Sequence, residues 1–393
     1  MKKEFIQNRL REIHKDTIEI RRYIHQNPEL SFKEFKTSTY IQDKLTEFGI
    51  SFTNGVAGTG IIGTISPDHP TNKCIGLRAD IDALPIVEDN EVSYKSKNEG
   101  IMHACGHDVH TSILLGSLKF IQENRQALNA TVKFIFQPGE EKLPGGASLM
   151  IAEGVLDSPK VDEIYGLHVF PELETGKIGL KSGMYMASCD EIYMKVIGKG
   201  GHGAMPHQNV DPILISAHIL TALQQVISRN CNPAIPSVLS FGRIEGLGAT
   251  NVIPNEVNLQ GTFRTMDENW RQEAHHLIKK QATFIAKSMG ADIEVNIERG
   301  YPFLENNPEL TEMTRHKLIQ YFGENEVINL PIRMTGEDFA FYGQKIPSTF
   351  IRIGTRNEEK GIIHPVHHSK FDIDEDALFV GMETFINIVF QNK

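Results

Sequence analysis

The chain has 393 residues, 40% of them hydrophobic and 23% charged, with a formal net charge of −10. That length is more than one hydrophobic core commonly holds, so two domains are expected, and an ordinary globular composition leaves core size unlimiting. An acidic balance with no long run of one sign argues against a nucleic-acid or anionic-membrane partner.

The opening "MKKEFIQNRLREIHKDTIEIRR" alternates charged and apolar residues at helical spacing and lacks the apolar core of a signal peptide. No stretch reaches the roughly 20 apolar residues of a membrane span. A cytoplasmic protein with no membrane partner is expected. "KCIGLRAD" (73–80) reads as a buried strand and "DVHTSILLGSLKFIQENRQAL" (108–128) as a helix, with apolar residues three and four apart. "TVKFIFQ" (131–137) is a strand, "GGASLMIAEGVL" (145–156) a helix and "EIYGLHVF" (163–170) a strand. This alternation predicts α/β structure with a largely parallel sheet flanked by helices.

Near residue 185 the texture changes. "CDEIYMKVIGKGGHG" reads as a strand entering a glycine-rich turn, and "DPILISAHILTALQQVISR" (211–229) as a helix with Asp211 as N-cap and Pro212 at its first position. "SVLSFGRIEG", "NEVNLQGTFRT" and "ADIEVNIER" alternate near period two, as a half-exposed sheet does. "ENWRQEAHHLIKKQATFIAKSMG" is a second helix. Beyond residue 298 come a helix in "NPELTEMTRHKLIQYFG", a strand in "STFIRIG" and a closing helix in "DEDALFVGMETFINIVFQ". The simplest architecture is one α/β domain, residues 1–184 and 298–393, with an α+β domain, residues 185–297, inserted in it.

Ligands gather at the carboxyl ends of strands in open α/β sheets. Asp80 and Asp82 follow one strand, Glu140 and Glu141 the next, His168 lies late in a third, and His364, His367 and His368 follow the last. Taken singly, such residues are hydrogen-bonded core histidines, solvated turns or helix caps. Their convergence in one domain is what points to a metal, because carboxylates packed that closely repel unless a cation neutralises them.

"MHACGHDVHT" (102–111) adds Cys105 and His107 at the mouth of a helix, where the dipole favours a thiolate. Thiolate, imidazole and carboxylate together suit Zn²⁺, Mn²⁺ or Co²⁺ rather than Mg²⁺ or Ca²⁺. A nucleophilic Cys105 paired with His107 is the rival reading, but side chains two apart are not held in a fixed hydrogen-bonding relation. The other cysteines, Cys74, Cys189 and Cys231, form no C-x-x-C pair and read as buried small hydrophobes.

"LRADIDALPI", "MHACGHDVHTSILLG", "FQPGEE", "GLHV", "GKGGHGAMPH" and "HHSKFDID" together resemble the metal-dependent amidohydrolases that include aminoacylases, hippurate hydrolases and plant auxin–amino-acid conjugate hydrolases. The likeness runs in order over nearly the whole chain. It implies a metallopeptidase-like catalytic domain with an inserted lid and dimerisation domain. It also implies two divalent metal ions, Mn²⁺ or Zn²⁺ foremost with Co²⁺ the other choice, and hydrolysis of N-acyl-L-amino acids such as N-acetyl-amino acids, hippurate or N-acetyl-diaminopimelate. By resemblance, Cys105 bridges the metals, and His107, Glu141, His168 and His367 are the other ligands. Glu140 is the general base and Asp82 the carboxylate that orients it. His367 is preferred to His368 because it lies four residues before Phe371, as in the family's H-x-x-x-F. Asp80 stands where many relatives carry a metal-binding histidine, a departure shared by the auxin-conjugate branch.

The resemblance further assigns His202 to the oxyanion, supplied from the partner subunit of a homodimer, and Asn251, Arg264 and Gly336 to substrate binding. Glu337 and Asp338 read as helix caps. His103, His110, His207 and His364 read as structural, with His364 or His368 able to support a ligand. A di- or carboxypeptidase on the same scaffold is the alternative function. A non-catalytic binding module would predict a broken base or ligand set, whereas the six residues needed are all present.

Overall fold

The buried run Cys74–Asp80 and the run Thr131–Gln137 have every residue buried, as strands covered on both faces must. They lie side by side and parallel in an eight-stranded sheet. The computed structural model describes residues 1–69 and 71–390. Within these the sheet runs in the order Phe52–Val56, Gly60–Ile65, Thr131–Gln137, Cys74–Asp80, Glu163–Glu174, Ser348–Arg356, Ile178–Leu180, Val327–Asn329. The four central strands are mutually parallel, and antiparallel pairings appear toward both edges.

Helices Lys3–Gln26, His107–Glu123 and Asp376–Phe390 pack against one another and share one core with the sheet. Ile13, Leu114, Leu118, Phe385, Leu77 and Val132 are fully or almost fully buried there. Each such side chain stabilises the fold by about 1.5–3 kcal/mol relative to an exposed one.

The strands and helices expected from the sequence are present, with shifted ends. The helix expected over 145–156 is Gly146–Ala152, because Gly154 takes a left-handed φ of 81° and ends it. The helix expected to run to 128 stops at Glu123, where Asn124 Nδ2 donates to the Phe120 carbonyl, and a 3₁₀ turn, Arg125–Ala127, follows. The last residue of the closing helix as expected, Gln391, lies outside the described residues.

The chain divides into two compact units: Met1–Gly183, Glu305–Pro331 and Asp338–Lys393 form the first, and Met184–Leu304 with Ile332–Glu337 the second. The second unit has an antiparallel sheet in the order Ser237–Glu245, Glu256–Thr265, Asp190–Ile197, Asp292–Arg299. Helices Pro212–Gln225 and Glu268–Ser288 share its core, around Ile192, Val257, Phe263, Ile219 and Ile278. Asp211 caps the first of these helices, accepting from the amides of Ile213 and Leu214. The helices and strands of both units follow from the hydrophobic periods, 3.6 for helices and near 2 for the exposed sheet, whereas the stretch Ile332–Glu337 joins the second unit with no such signal. The cysteines do not all follow their expected burial: Cys74 is buried, but Cys189 and Cys231 are only half-buried.

Candidate functional site

Two neighbouring parallel strands in the first unit end together beside a third that runs on past them. Asp80 ends one strand opposite Gln137 of the next, Glu140 and Glu141 follow Gln137, and His168 lies in the third. Cys105 and His107 flank Gly106, whose φ of 84° turns the chain into the helix that begins at His107. A side chain at Gly106 would start 2.5 Å from Val169 Cγ2, so only glycine lets this turn close onto the strand carrying His168.

The ligand atoms converge. Cys105 Sγ lies 3.4 Å from His168 Nε2. Glu141 Oε1 lies 4.0 Å from His107 Nε2 and 3.3 Å from His367 Nε2. Cys105, His107 and His168 form one potential metal-holding group and Cys105, Glu141 and His367 a second, so the thiol is common to both. The second-sphere contacts set the tautomers. His168 Nδ1 donates to the Val169 carbonyl at 2.8 Å and His107 Nδ1 to Asp82 Oδ1 at 3.0 Å, which turns both Nε2 lone pairs toward the cluster. His107 Nε2 and Glu141 Oε1 are buried and have no hydrogen-bond partner. Unpaired ligand atoms this close fit divalent ions with bonds of about 2.0–2.3 Å.

Around these atoms the chain is tightly held. Asp82 Oδ2 accepts from Ser31 Oγ at 2.6 Å and from the Glu141 amide at 3.0 Å, which fixes the main chain next to Glu140. Glu34 accepts from the Gly139 amide at 2.9 Å and from Thr59 Oγ1 at 2.7 Å, bracing the same loop from the other side. Glu140 and Glu141 are therefore largely withdrawn from water rather than on a solvated turn, Glu140 being 7% exposed. His367 takes a left-handed φ of 65°, uncommon for a non-glycine residue, and its amide donates to the Ala104 carbonyl at 2.7 Å. His368 turns away: its ring stacks on His364 at 4.4 Å, and its Nδ1 accepts from the Lys370 amide.

Electrostatics alone disfavour a thiolate. Burial, and then the charges of Glu141 and Glu140, push the Cys105 thiol well up. The helix start that was expected to favour the thiolate is outweighed, and a cation is what would reverse the balance. Burial would lower His107, but Asp80, Asp82 and Glu141 raise it to about 10. Burial pushes His168 well down, with help from His110 and Arg352.

Asp80 occupies a different setting from a free ligand. Its oxygens accept from Arg78 Nη1 at 2.7 Å and His110 Nδ1 at 2.5 Å, while Oδ2 stands 3.6 Å from His107 Nε2. His110 Nε2 accepts from the Val169 amide at 2.9 Å, so both of its ring nitrogens are engaged. Asp338 does not cap a helix, since the short helix Ala340–Gly343 has no side-chain cap. It accepts instead from Arg78, Gln137 and the Ala147 amide.

Sequence reasoning missed Arg21, His25 and Glu88. Asp108 Oδ2 accepts from Arg21 Nε and His25 Nδ1, both at 2.8 Å, and His25 Nε2 faces Glu88 at 3.2 Å. The signal was available: Arg21 and His25 lie on the buried stripe of the first helix with Leu10, Ile13, Ile20 and Ile24.

His202, Asn251, Arg264 and Gly336 belong to the second unit. His202 is exposed and pairs with Val252, and Gly203 N donates to the Asn251 carbonyl, so His202 and Asn251 are neighbours. His202 Nδ1 accepts from the Ala204 amide at 3.1 Å, which leaves Nε2 as the donor. Gly336 and Arg264 meet at Cys189. His207 is exposed in a 3₁₀ turn, and His103 is buried.

A thiol shared by two potential metal-holding groups, beside buried Glu140 and half-buried Glu141 on an α/β sheet, marks the chain as a metallohydrolase. It belongs to peptidase family M20/M25/M40, whose model matches residues 76–391. It is 39% identical to thermostable carboxypeptidase 2 of Saccharolobus solfataricus, over 99% of both chains. It is 41% identical to the N-acyl-L-amino acid amidohydrolase of Geobacillus stearothermophilus, over 77% of this chain and 80% of that one. Among solved structures, a Bacillus subtilis protein described as a dinuclear metal binding peptidase of the M20 family superposes with a TM-score of 0.83 at 33% identity, covering 97% and 98% of the two chains.

Proposed function

We propose that the chain is a dinuclear-metal-dependent amidohydrolase that cleaves N-acyl-L-amino acids to a carboxylic acid and a free amino acid. The observation that carries this reading is the pair of ligand groups sharing Cys105, with Glu140 adjacent to the ligand Glu141. In it, Cys105, His107, Glu141, His168 and His367 hold two divalent ions, manganese or zinc in preference to cobalt. Ions held there would lower the pKa of a water molecule and polarise the amide carbonyl.

Glu140 takes the proton of the attacking water and passes it to the amide nitrogen as the C–N bond breaks. Asp82 keeps the His107 ring oriented and fixes the backbone beside Glu140. His202 donates from Nε2 to the carbonyl oxygen as it gains charge, reaching the site from the partner subunit of a homodimer formed through residues 185–297. Arg264 and Asn251 bind the carboxylate end of the substrate, and Gly336 lies beside Arg264.

The 39% identity to a carboxypeptidase over nearly the full chain favours a second reading, a peptidase on the same scaffold. Steady-state kinetics on metal-reconstituted protein separate the two. The first reading requires kcat/KM for N-acetyl- and N-benzoyl-amino acids at least about tenfold above that for dipeptides, roughly 1.4 kcal/mol of transition-state preference. The reverse order would hand the site to the peptidase. Turnover that survives EDTA but is lost on thiol alkylation would replace both with a nucleophilic Cys105.

A further inference from the structure

Arg264 lies in the strand Glu256–Thr265, whose Phe263 pairs with Asp190, the residue after Cys189. Two of the three guanidinium nitrogens are engaged by side chains of the same unit. Nε donates to Thr262 Oγ1 at 3.1 Å, and Nη1 donates to Cys189 Sγ. Thr262 Oγ1 in turn donates to the Asp190 carbonyl at 3.1 Å. The Cys189 main chain is pinned as well, its amide donating to the Tyr301 carbonyl at 3.0 Å. An arginine has five N–H donors. The three left here sit on Nη1 and Nη2, the end-on pair that grips a carboxylate with two bonds.

Gly336 backs the sulfur. A side chain at this position would begin 1.7 Å from Cys189 Sγ and 3.4 Å from Arg264 Nη1. Its φ lies outside the left-handed region, so no backbone turn demands glycine here. The sulfur demands it.

We infer that Cys189 is a positioning residue. Its sulfur, backed by Gly336 and helped by Thr262, aims the Arg264 fork and thereby makes the enzyme selective for substrates with a free α-carboxylate. The inference rests on Arg264 being the carboxylate anchor, and the test keeps the two apart.

The full-length, metal-reconstituted protein is assayed on N-acetyl-L-methionine and on its α-carboxamide. Cys189→Ala should raise KM for the acid about fivefold, the loss of roughly one hydrogen bond, with kcat within about twofold and the carboxamide unaffected. Cys189→Ser, which still accepts a hydrogen bond, should recover part of the loss. Gly336→Ala, which displaces the sulfur, should raise the same KM. In an Arg264→Gln background Cys189→Ala should add nothing further, a result no general packing defect would give. Equal effects on acid and carboxamide, or additive effects in that background, overturn the inference. If Arg264→Gln discriminates against the acid while Cys189→Ala is silent, the inference fails and the anchor stands. If Arg264→Gln does not discriminate, or neither compound is turned over, the anchor itself falls and the inference with it.

Discussion

Two buried acidic clusters of this protein treat charge in opposite ways. In the second unit Asp190 is 1% exposed, and its oxygens accept from Arg271 Nε and Nη2, His275 Nε2 and the Gly300 amide. In the first unit Cys105 gathers with Glu141, His107, His168 and His367, and His107 Nε2 and Glu141 Oε1 are buried without a hydrogen bond. Taking charge out of water is costly unless a partner offsets it. One cluster is closed around an arginine, and the other offers groups that could hold a cation. A buried acidic cluster is therefore informative about function only once its partners have been counted.

The largest way to break this contrast is chelation. EDTA should abolish turnover, and Mn²⁺, Zn²⁺ or Co²⁺ should restore it. At free metal a thousandfold above its Kd, stability lost on removal should reach about 4 kcal/mol. The sole tryptophan, Trp270, lies in the second unit, so its fluorescence should report less of that loss than far-UV circular dichroism does. Equal shifts by both probes would count against a metal confined to the first cluster.

Glu140→Gln comes next. It should lower kcat by about 10³-fold, the scale of a lost general base, with metal content unchanged by elemental analysis. Undiminished turnover would remove Glu140 from the mechanism.

Asp190→Asn probes the other cluster. Leaving buried Arg271 with Glu268 as its remaining carboxylate should cost about 2–3 kcal/mol in the Trp270 transition, short of the ~3–5 of a fully stranded charge, with metal content intact. The pH dependence should change too. Burial would raise the Asp190 carboxyl, but hydrogen bonds from Arg271 and His275 hold it below the ordinary carboxylate range. A lowered folded-state value gives stability that is present above the unfolded value, near 3.9, and lost as pH falls toward the folded one. Urea melts between pH 5 and pH 2 should show an acid limb that the variant flattens.

Smaller in effect, His367→Ala should weaken metal binding by about 100-fold or more, whereas His368→Ala should change it by no more than about twofold. Isothermal titration with Mn²⁺ on the two proteins reads this directly, and the reverse order would exchange their places.

Much of this was legible from the sequence because it is local. Hydrophobic period fixes the helices and strands, Asp211-Pro212 announces a helix start, and strand ends place Asp82, Glu140, Glu141 and His168 together. What stayed hidden depends on contacts between distant segments. Arg78 joining Asp80 to Asp338, and Arg21 joining Asp108 to Asp372, are pairings that no spacing encodes. The reason for Gly336 was equally invisible, since it is a sulfur far away in the chain rather than a turn.

The backbone at His367 carries a consequence for how the molecule comes apart. Its amide is tied to Ala104, beside Cys105, although the two stretches stand on either side of the second unit in the sequence. Ions gripped by both would act as a clasp across that long excursion, resisting release of the carboxyl-terminal stretch before anything else. Stripped of them, the protein should first become vulnerable to proteases around residues 361–371, well before the helix that ends at Phe390 lets go.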